Sequence, residues 1–111
     1  RHVPTADHLL VLANIYLEDG RYESALPALE QAARLKPDSG EILCKLGLTH
    51  GKRGRPELMR YYLDQSTKRD PNYAEGWLFR SQIQKDSGQA RADYDRAVRL
   101  KPELAKTFAR P

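Results

Sequence analysis

Apolar residues recur three and four positions apart along most of the chain, in six segments that follow one another as pairs. The first segment carries Leu9, Leu12, Ala13 and Tyr16 at this spacing, which is the period of an α-helix with one buried face. The pattern predicts first helices over about residues 6–19, 40–53 and 74–87, and second helices over about 22–35, 56–69 and 89–101. The sequence therefore predicts an all-α chain.

Glycine and proline mark the ends of these helices at a regular interval. Gly20, Gly54 and Gly88 are 34 residues apart, as are Pro37 and Pro71. A glycine between two helices can adopt the positive φ that ends the first of them, whereas proline cannot continue the second. A single helix pair cannot bury its own apolar face, so the three pairs must stack on one another.

The repeated residues resemble the tetratricopeptide repeat (TPR), whose pattern is W-x2-L-G-x2-Y, then A-x3-F, then P. The first unit has Leu9, Leu12, Ala13, Tyr16, Ala25, Leu29, Ala32 and Pro37. The second has Leu43, Leu46, Gly47, His50, Met59, Leu63, Ser66 and Pro71. The third keeps Trp77, Gly88, Ala90, Tyr94, Ala97 and Pro102.

This resemblance implies a right-handed superhelix, or α-solenoid, built from antiparallel helix pairs. We expect one domain over residues 1–111. Its repeats would span about 6–39, 40–73 and 74–104, and about 105–111 would start a further helix. The ends lack the polar caps that solenoids need for solubility, which predicts a segment of a longer array and weak self-association through the uncapped ends.

The third unit and two substitutions depart from the pattern. From Pro71 to Pro102 is 31 residues rather than 34, and the loss falls between Gly88 and Ala90, which predicts a tighter third turn. His50 stands where the first unit has Tyr16, and we interpret it as a core residue. Pro27 falls within the predicted second helix of the first unit, where it should remove one hydrogen bond.

The composition of the chain excludes several structural classes and kinds of partner. The 111 residues suffice for one small domain, and the single cysteine, Cys44, excludes an internal disulfide framework. The most apolar run, residues 9–17, is about half of what a membrane span requires. The net charge of +4 is too small, and exposed aromatics are too few, to favour nucleic acid as a partner.

No catalytic or metal-binding set is apparent. The histidines are His2, His8 and His50, and none is paired with another histidine one helical turn away, as a zinc site on a helix requires. Cys44 lies in the middle of a predicted helix without a basic partner to activate it. We therefore predict a protein that is not an enzyme and holds no cofactor or metal.

The resemblance further implies that the first helices line a concave groove that binds a peptide or a partner's helix. Seven groove positions combine amide, cationic and apolar side chains and are the candidate partner-binding residues: Asn14, Lys45, Leu48, Lys52, Phe79, Gln82 and Lys85. For the neighbouring Leu10, Val11 and Leu17, burial is favoured over binding. Residues 6–39 are acidic, with three Lys/Arg and six Asp/Glu, and both later units carry a net charge of +3, which favours an acidic partner.

Chaperone-binding TPR domains hold a C-terminal carboxylate with a set of lysines, asparagines and an arginine. Of those positions only Asn14 matches here, and Glu75 reverses a charge, so this clamp is not expected. The sequence thus predicts a non-catalytic protein-binding scaffold. The alternative is a structural spacer in a longer array, for example the periplasmic arm of a bacterial polysaccharide- or pilus-assembly machine. The Arg/Ala/Leu-rich composition favours a bacterial origin and leaves periplasm and cytoplasm both open.

Overall fold

A computed structural model describes residues 3–111, so Arg1 and His2 lie outside the described part. Within it every regular element is a helix, and the predicted all-α class is confirmed. In chain order the helices are α1 (Ala6–Glu18), α2 (Tyr22–Leu35), α3 (Gly40–Lys52), α4 (Pro56–Arg69), α5 (Ala74–Ile83), α6 (Ser87–Leu100) and α7 (Leu104–Thr107). The described chain is elongated, with extents of 50 × 26 × 23 Å.

The helices pair and stack in the order of the chain. α1 packs on α2, α3 on α4 and α5 on α6, while α2 also contacts α3, and α4 contacts α5. Small residues allow the close approach within pairs: Ala13 is fully buried, and a Cβ atom built on Gly47 would lie 3.1 Å from the Met59 carbonyl oxygen. The first two units share a core around Leu29, Ile42 and Leu46.

The first helices of the first two units begin at side-chain caps. The Oγ1 atom of Thr5 accepts a hydrogen bond from the His8 N–H at 3.2 Å, and Ser39 Oγ accepts from the Ile42 N–H at 3.3 Å. Each contact satisfies a backbone donor that the first turn of a helix leaves free. Pro56 begins α4, where its missing N–H costs nothing. Pro27 lies inside α2, as predicted.

The residue before the last proline of each unit closes that unit onto its own first helix. Lys36 forms an ion pair with Asp7 at 3.4 Å, and Lys101 forms one with Glu75 at 2.7 Å. The second unit has Asp70 at this position, and its carboxylate accepts a hydrogen bond from the Gly40 N–H at 2.8 Å. The same place in the three units therefore holds two kinds of contact, an ion pair at the ends and a backbone hydrogen bond in the middle.

The third unit is shortened within its first helix. α5 has 10 residues, whereas α1 and α3 have 13 each, and all three pairs are joined by three residues. The expectation of a tighter third turn and a first helix reaching residue 87 is therefore wrong. Gly20 and Gly54 adopt the predicted positive φ of 71° and 72°. Gly88 instead lies in α6, whose cap is Asp86, because the missing residues shift everything after α5 by three positions.

A buried polar junction joins the second and third units. The Arg80 guanidinium donates to both carboxylate oxygens of Asp93 at 2.9 Å, and also to Asp64 and Thr67 on α4. Asp93 is only 5% exposed and accepts a further bond from Gln84 at 3.0 Å. Since one side chain contacts α4 and α6 from α5, this junction fixes the third unit against the second.

Trp77 lies beside this junction between two cations. The guanidinium carbons of Arg80 and Arg96 lie 5.0 Å and 5.1 Å from its ring centroid, within the range of a cation–π contact. Its indole N–H donates to the carbonyl of Pro71 at 2.9 Å. The tryptophan therefore ties α5 both to α6 and to the end of the second unit.

His50 is buried in the position predicted for it. Its ring stacks on Tyr62 with centroids 5.5 Å apart and planes 6° from parallel. Its Nδ1 atom has no hydrogen-bond partner among residues 3–111. Burial, followed by the positive charge of Arg55, lowers the pKa of this imidazole below its usual value, with Glu30 opposing and Arg53 adding to the shift.

We expect the free energy of unfolding to decrease as the pH falls below about 6.5, the usual pKa of histidine. Between the lowered pKa of native His50 and that value, the unfolded chain binds more protons than the folded one, so stability is lost toward acid. Urea unfolding of the wild type and of His50→Tyr at pH 7.5 and 5.5 measures this. The difference between the two pH values should shrink in the variant; an unchanged difference would assign the acid sensitivity to other groups.

Candidate partner-binding groove

A side-chain-sized cavity opens between α1 and α3. Its volume is about 220 Å³, and we call it the α1–α3 cavity. Its lining comes from the end of α1, the start of α2 and one face of α3: Leu17, Tyr22, Lys45, Leu48, Thr49 and Lys52. The wall formed by α3 follows from helical spacing, because positions i, i+3, i+4 and i+7 lie on one face.

The interior of this cavity is apolar, and two lysine side chains, Lys45 and Lys52, lie at its edge. The Thr49 hydroxyl donates to the Lys45 carbonyl at 2.6 Å, so this donor is already satisfied within α3. Lys45 is half-buried and Lys52 is exposed. Neither lysine ammonium group has a hydrogen-bond or ion-pair partner in the part of the chain the structure describes, whereas the adjacent Arg53 is paired with Glu23 at 2.6 Å.

The structure thus brings together three of the seven predicted binding residues, Lys45, Leu48 and Lys52. It adds Tyr22 and Thr49, which the sequence did not indicate, and Leu17, for which burial was favoured. Tyr22 begins a second helix, whereas the family resemblance assigns the groove to the first helices. Thr49 occupies a position that packs between helices, and this residue is only 1% exposed.

The other four predicted residues lie outside the α1–α3 cavity. Asn14 is half-buried on α1, and Gln82 is exposed on α5. Lys85 lies beyond the end of α5, in the connection to α6, and lines a separate cavity of about 270 Å³ beside Met59. Phe79 is half-buried and packs edge to face on Phe108, with ring centroids 6.3 Å apart.

The C-terminal residues cover the third helix pair. Leu104 is buried in a core cluster with Leu78 and Tyr94, and the Tyr94 hydroxyl donates to the Phe108 carbonyl at 2.6 Å. Arg110 forms a two-pronged ion pair with Asp95 on α6 at 2.9 Å and 3.0 Å. The surface around Phe79 is therefore occupied by the chain itself.

Metal-ligating and nucleophilic side chains were compared with the geometry that such sites require in residues 3–111. No group of three or more His, Cys, Asp or Glu residues between positions 3 and 111 is placed to hold a metal ion. Cys44 is 1% exposed, and burial, with the nearby Glu75 carboxylate, raises the pKa of its thiol to about 12. A thiol held protonated at neutral pH is a poor nucleophile. Across the same residues, no helix combines the length and apolar character of a membrane span.

The stacked helix pairs define an α-solenoid, and comparisons with known proteins agree. A family model described as TPR repeat matches residues 13–54. The first TPR of Spaghetti (RPAP3), solved with an HSP90 peptide of sequence SRMEEVD, superposes with a TM-score of 0.77 at 19% identity over 91% of this chain and 84% of that one. The predicted resemblance to the TPR family is therefore confirmed, and the chain has the TPR fold.

Two further structures share this fold. MamA superposes with a TM-score of 0.74 at 17% identity, over 92% of this chain and 61% of that one. YrrB, described as a TPR protein with an unusual peptide-binding site, gives 0.72 at 18% identity, over 96% and 59% of the two chains. At these identities the likeness concerns the fold alone.

Curated relatives are much longer than this chain. The protein O-mannosyl-transferase TMTC1 of Homo sapiens is 29% identical over 100 residues, which are 84% of this chain and 11% of that protein. The TMTC1 of Mus musculus matches to the same extent. The chain thus spans about a tenth of the length of these relatives.

Proposed function

We propose that this protein is a non-catalytic scaffold that binds a segment of a partner protein in the groove formed by its first helices. The observation that carries the proposal is the α1–α3 cavity, an apolar recess bordered by two lysines whose ammonium groups have no ion-pair partner among residues 3–111. Recesses of this kind hold the anchor side chains of bound peptides. Two structures with the same fold are described with a peptide or a peptide-binding site, which also supports a protein or peptide partner.

Display of random 12-residue peptides against the folded protein tests this proposal. We expect selected peptides to lose about tenfold or more in affinity for Leu48→Glu, because the new carboxylate occupies the cavity wall and an apolar anchor residue contributes more than 1 kcal/mol. Isothermal titration calorimetry of the selected peptides measures the loss.

Leu58→Glu is the matched control for this experiment. Leu58 lies on α4, is 39% exposed and does not line the α1–α3 cavity, so the same substitution there should leave affinity unchanged. Selection of no peptide, or of peptides that bind both variants equally, would show that the groove is not the binding surface.

A structural spacer is the second candidate, favoured by the outer face of α1. Leu12 is 41% exposed and Ile15 is 58% exposed, whereas their equivalents one repeat later, Leu46 and Thr49, are each 1% exposed on α3, which packs against α2. A helix placed like α2 in a neighbouring unit would cover this face. A spacer would give no groove-dependent peptide in the display experiment, which separates the two candidates.

A further inference from the structure

We propose that the α1–α3 cavity receives one apolar side chain of an extended partner segment that carries an acidic residue on either side of it. This inference rests on the proposed function and specifies the chemistry of the partner. It follows from the size of the cavity, the nature of its walls and the spacing of its two lysines.

The size and walls of the cavity select an apolar side chain. A volume of about 220 Å³ lies below the range of small-molecule sites, about 300–1,000 Å³, so a single side chain fills it better than a whole ligand. Leu17, Leu48 and the Tyr22 ring supply hydrocarbon surface. The Thr49 hydroxyl is already bonded to the Lys45 carbonyl, so it offers no free donor to a polar guest.

The two lysines select carboxylates at two separate points. Lys45 and Lys52 are seven residues apart on α3, which places their Cα atoms about 10 Å apart along the helix axis. Neither ammonium group has an ion-pair partner within residues 3–111. Side chains of an extended chain alternate between its two faces, so an apolar residue points the same way as the acidic residues two positions before and two positions after it. At about 3.3 Å per residue these two acidic residues lie about 13 Å apart, a separation that the long, flexible lysine side chains can bridge.

This spacing favours an internal segment over a chain terminus. A single terminal carboxylate next to one lysine would leave the other unpaired, whereas two side-chain carboxylates pair with both. A segment with lysine or arginine at the same places would set like charges against each other. The structure therefore discriminates by charge at two points and by hydrophobicity between them.

Defined peptides blocked at both ends test the inference. The probe contains Glu–Gly–Leu–Gly–Glu within a Gly/Ser sequence; the comparison peptides replace both Glu by Gln, both Glu by Lys, or Leu by Gly. NMR titration of methyl-labelled protein at low salt reports binding. We expect the probe to shift the methyl signals of Leu17, Leu48 and Thr49 saturably and to bind at least about fivefold more tightly than the other three. Binding should weaken in 0.5 M NaCl, because screening reduces exposed ion pairs.

Charge reversal supplies the matched variants. Each exposed ion pair contributes up to about fivefold in affinity, so Lys45→Glu with Lys52→Glu should lower affinity for the Glu peptide at least about tenfold and raise it for the Lys peptide. The control, Lys68→Glu with Lys106→Glu, makes the same change in net charge on α4 and α7 and should leave both affinities unchanged. Circular dichroism confirms that both variants fold.

The outcomes separate this inference from the proposed function. Peptides selected by display that need Leu48 but are neutral or basic would overturn the acidic requirement and leave the groove intact as a binding site. Shifts confined to residues outside the α1–α3 cavity, or equal loss in both double variants, would also overturn the inference. If no peptide depends on Leu48, the proposed function itself fails.

Discussion

Replacing Asp93 by alanine should lower the free energy of unfolding by about 3 kcal/mol. The carboxylate is buried and pairs with Arg80 through two hydrogen bonds of 2.9 Å, and removal of one partner of a buried ion pair costs about 3–5 kcal/mol. Arg80 retains Asp64 at 3.3 Å, which places the expected loss at the lower end. Since a small domain has about 5–15 kcal/mol of stability in total, guanidinium unfolding followed by circular dichroism resolves the change easily.

A neighbouring carboxylate on the same helix provides the control. Asp95 pairs with Arg110 on the surface, where both side chains are about half exposed, so Asp95→Ala should shift the unfolding midpoint far less. A double variant, Arg80→Met with Asp93→Leu, should recover part of the lost stability, because apolar side chains leave no charge unpaired in the junction. Equal effects of Asp93→Ala and Asp95→Ala would refute the structural role of the junction.

The second large effect is expected at Gly40, where alanine should destabilise the protein by about 1–3 kcal/mol, the range for an overpacked core. A Cβ atom at this position would lie 2.8 Å from the Cβ atoms of both Asp70 and Tyr73. These atoms are fixed by their own backbones and cannot rotate away. The shift would also strain the bonds that Gly40 makes with Asp70, at 2.8 Å, and with Ser66, at 2.9 Å.

Gly88 is the control for this substitution, with an expected effect of opposite sign. It also lies in the first turn of a helix, but a Cβ atom there would meet only Asp86 Oδ1, at 3.6 Å. Gly88→Ala should therefore stabilise the protein by about 0.5–1 kcal/mol, because alanine loses less backbone entropy than glycine on folding. Thermal unfolding of both variants shows whether each substitution raises or lowers the stability. Stabilisation by Gly40→Ala would mean that the contact at Gly40 relaxes without cost, and destabilisation by Gly88→Ala would contradict the open surroundings of Gly88.

The helices were predictable because each carries its own apolar period and end signals. The exception, α5, shows what the pattern could not decide. Gly88 matched the interval of Gly20 and Gly54, but the capping residue Asp86, followed by a helical segment, was the better signal. Shortening α5 by three residues leaves the connection intact, whereas shortening a three-residue connection would not.

The candidate site was predictable only where it lies on one helix. Lys45, Leu48 and Lys52 share a face of α3, and helical spacing alone relates them. Tyr22 reaches the same cavity from another helix, a relation that depends on packing geometry. For the same reason the Arg80–Asp93 junction was not foreseen, since both residues resemble ordinary surface charges until three helices are placed together.

The closing contacts of the three units limit how far the repeats can be treated as exchangeable modules. Lys36 and Lys101 each match an acidic residue in their own first helix, whereas Asp70 matches a bare N–H group at Gly40. Transplanting the end of the first unit onto the second would put an ammonium group against that donor and leave it without an acceptor. In an array with reordered or added repeats, each first helix must therefore be kept together with the end of its own unit. These repeats are thus interchangeable only as complete units.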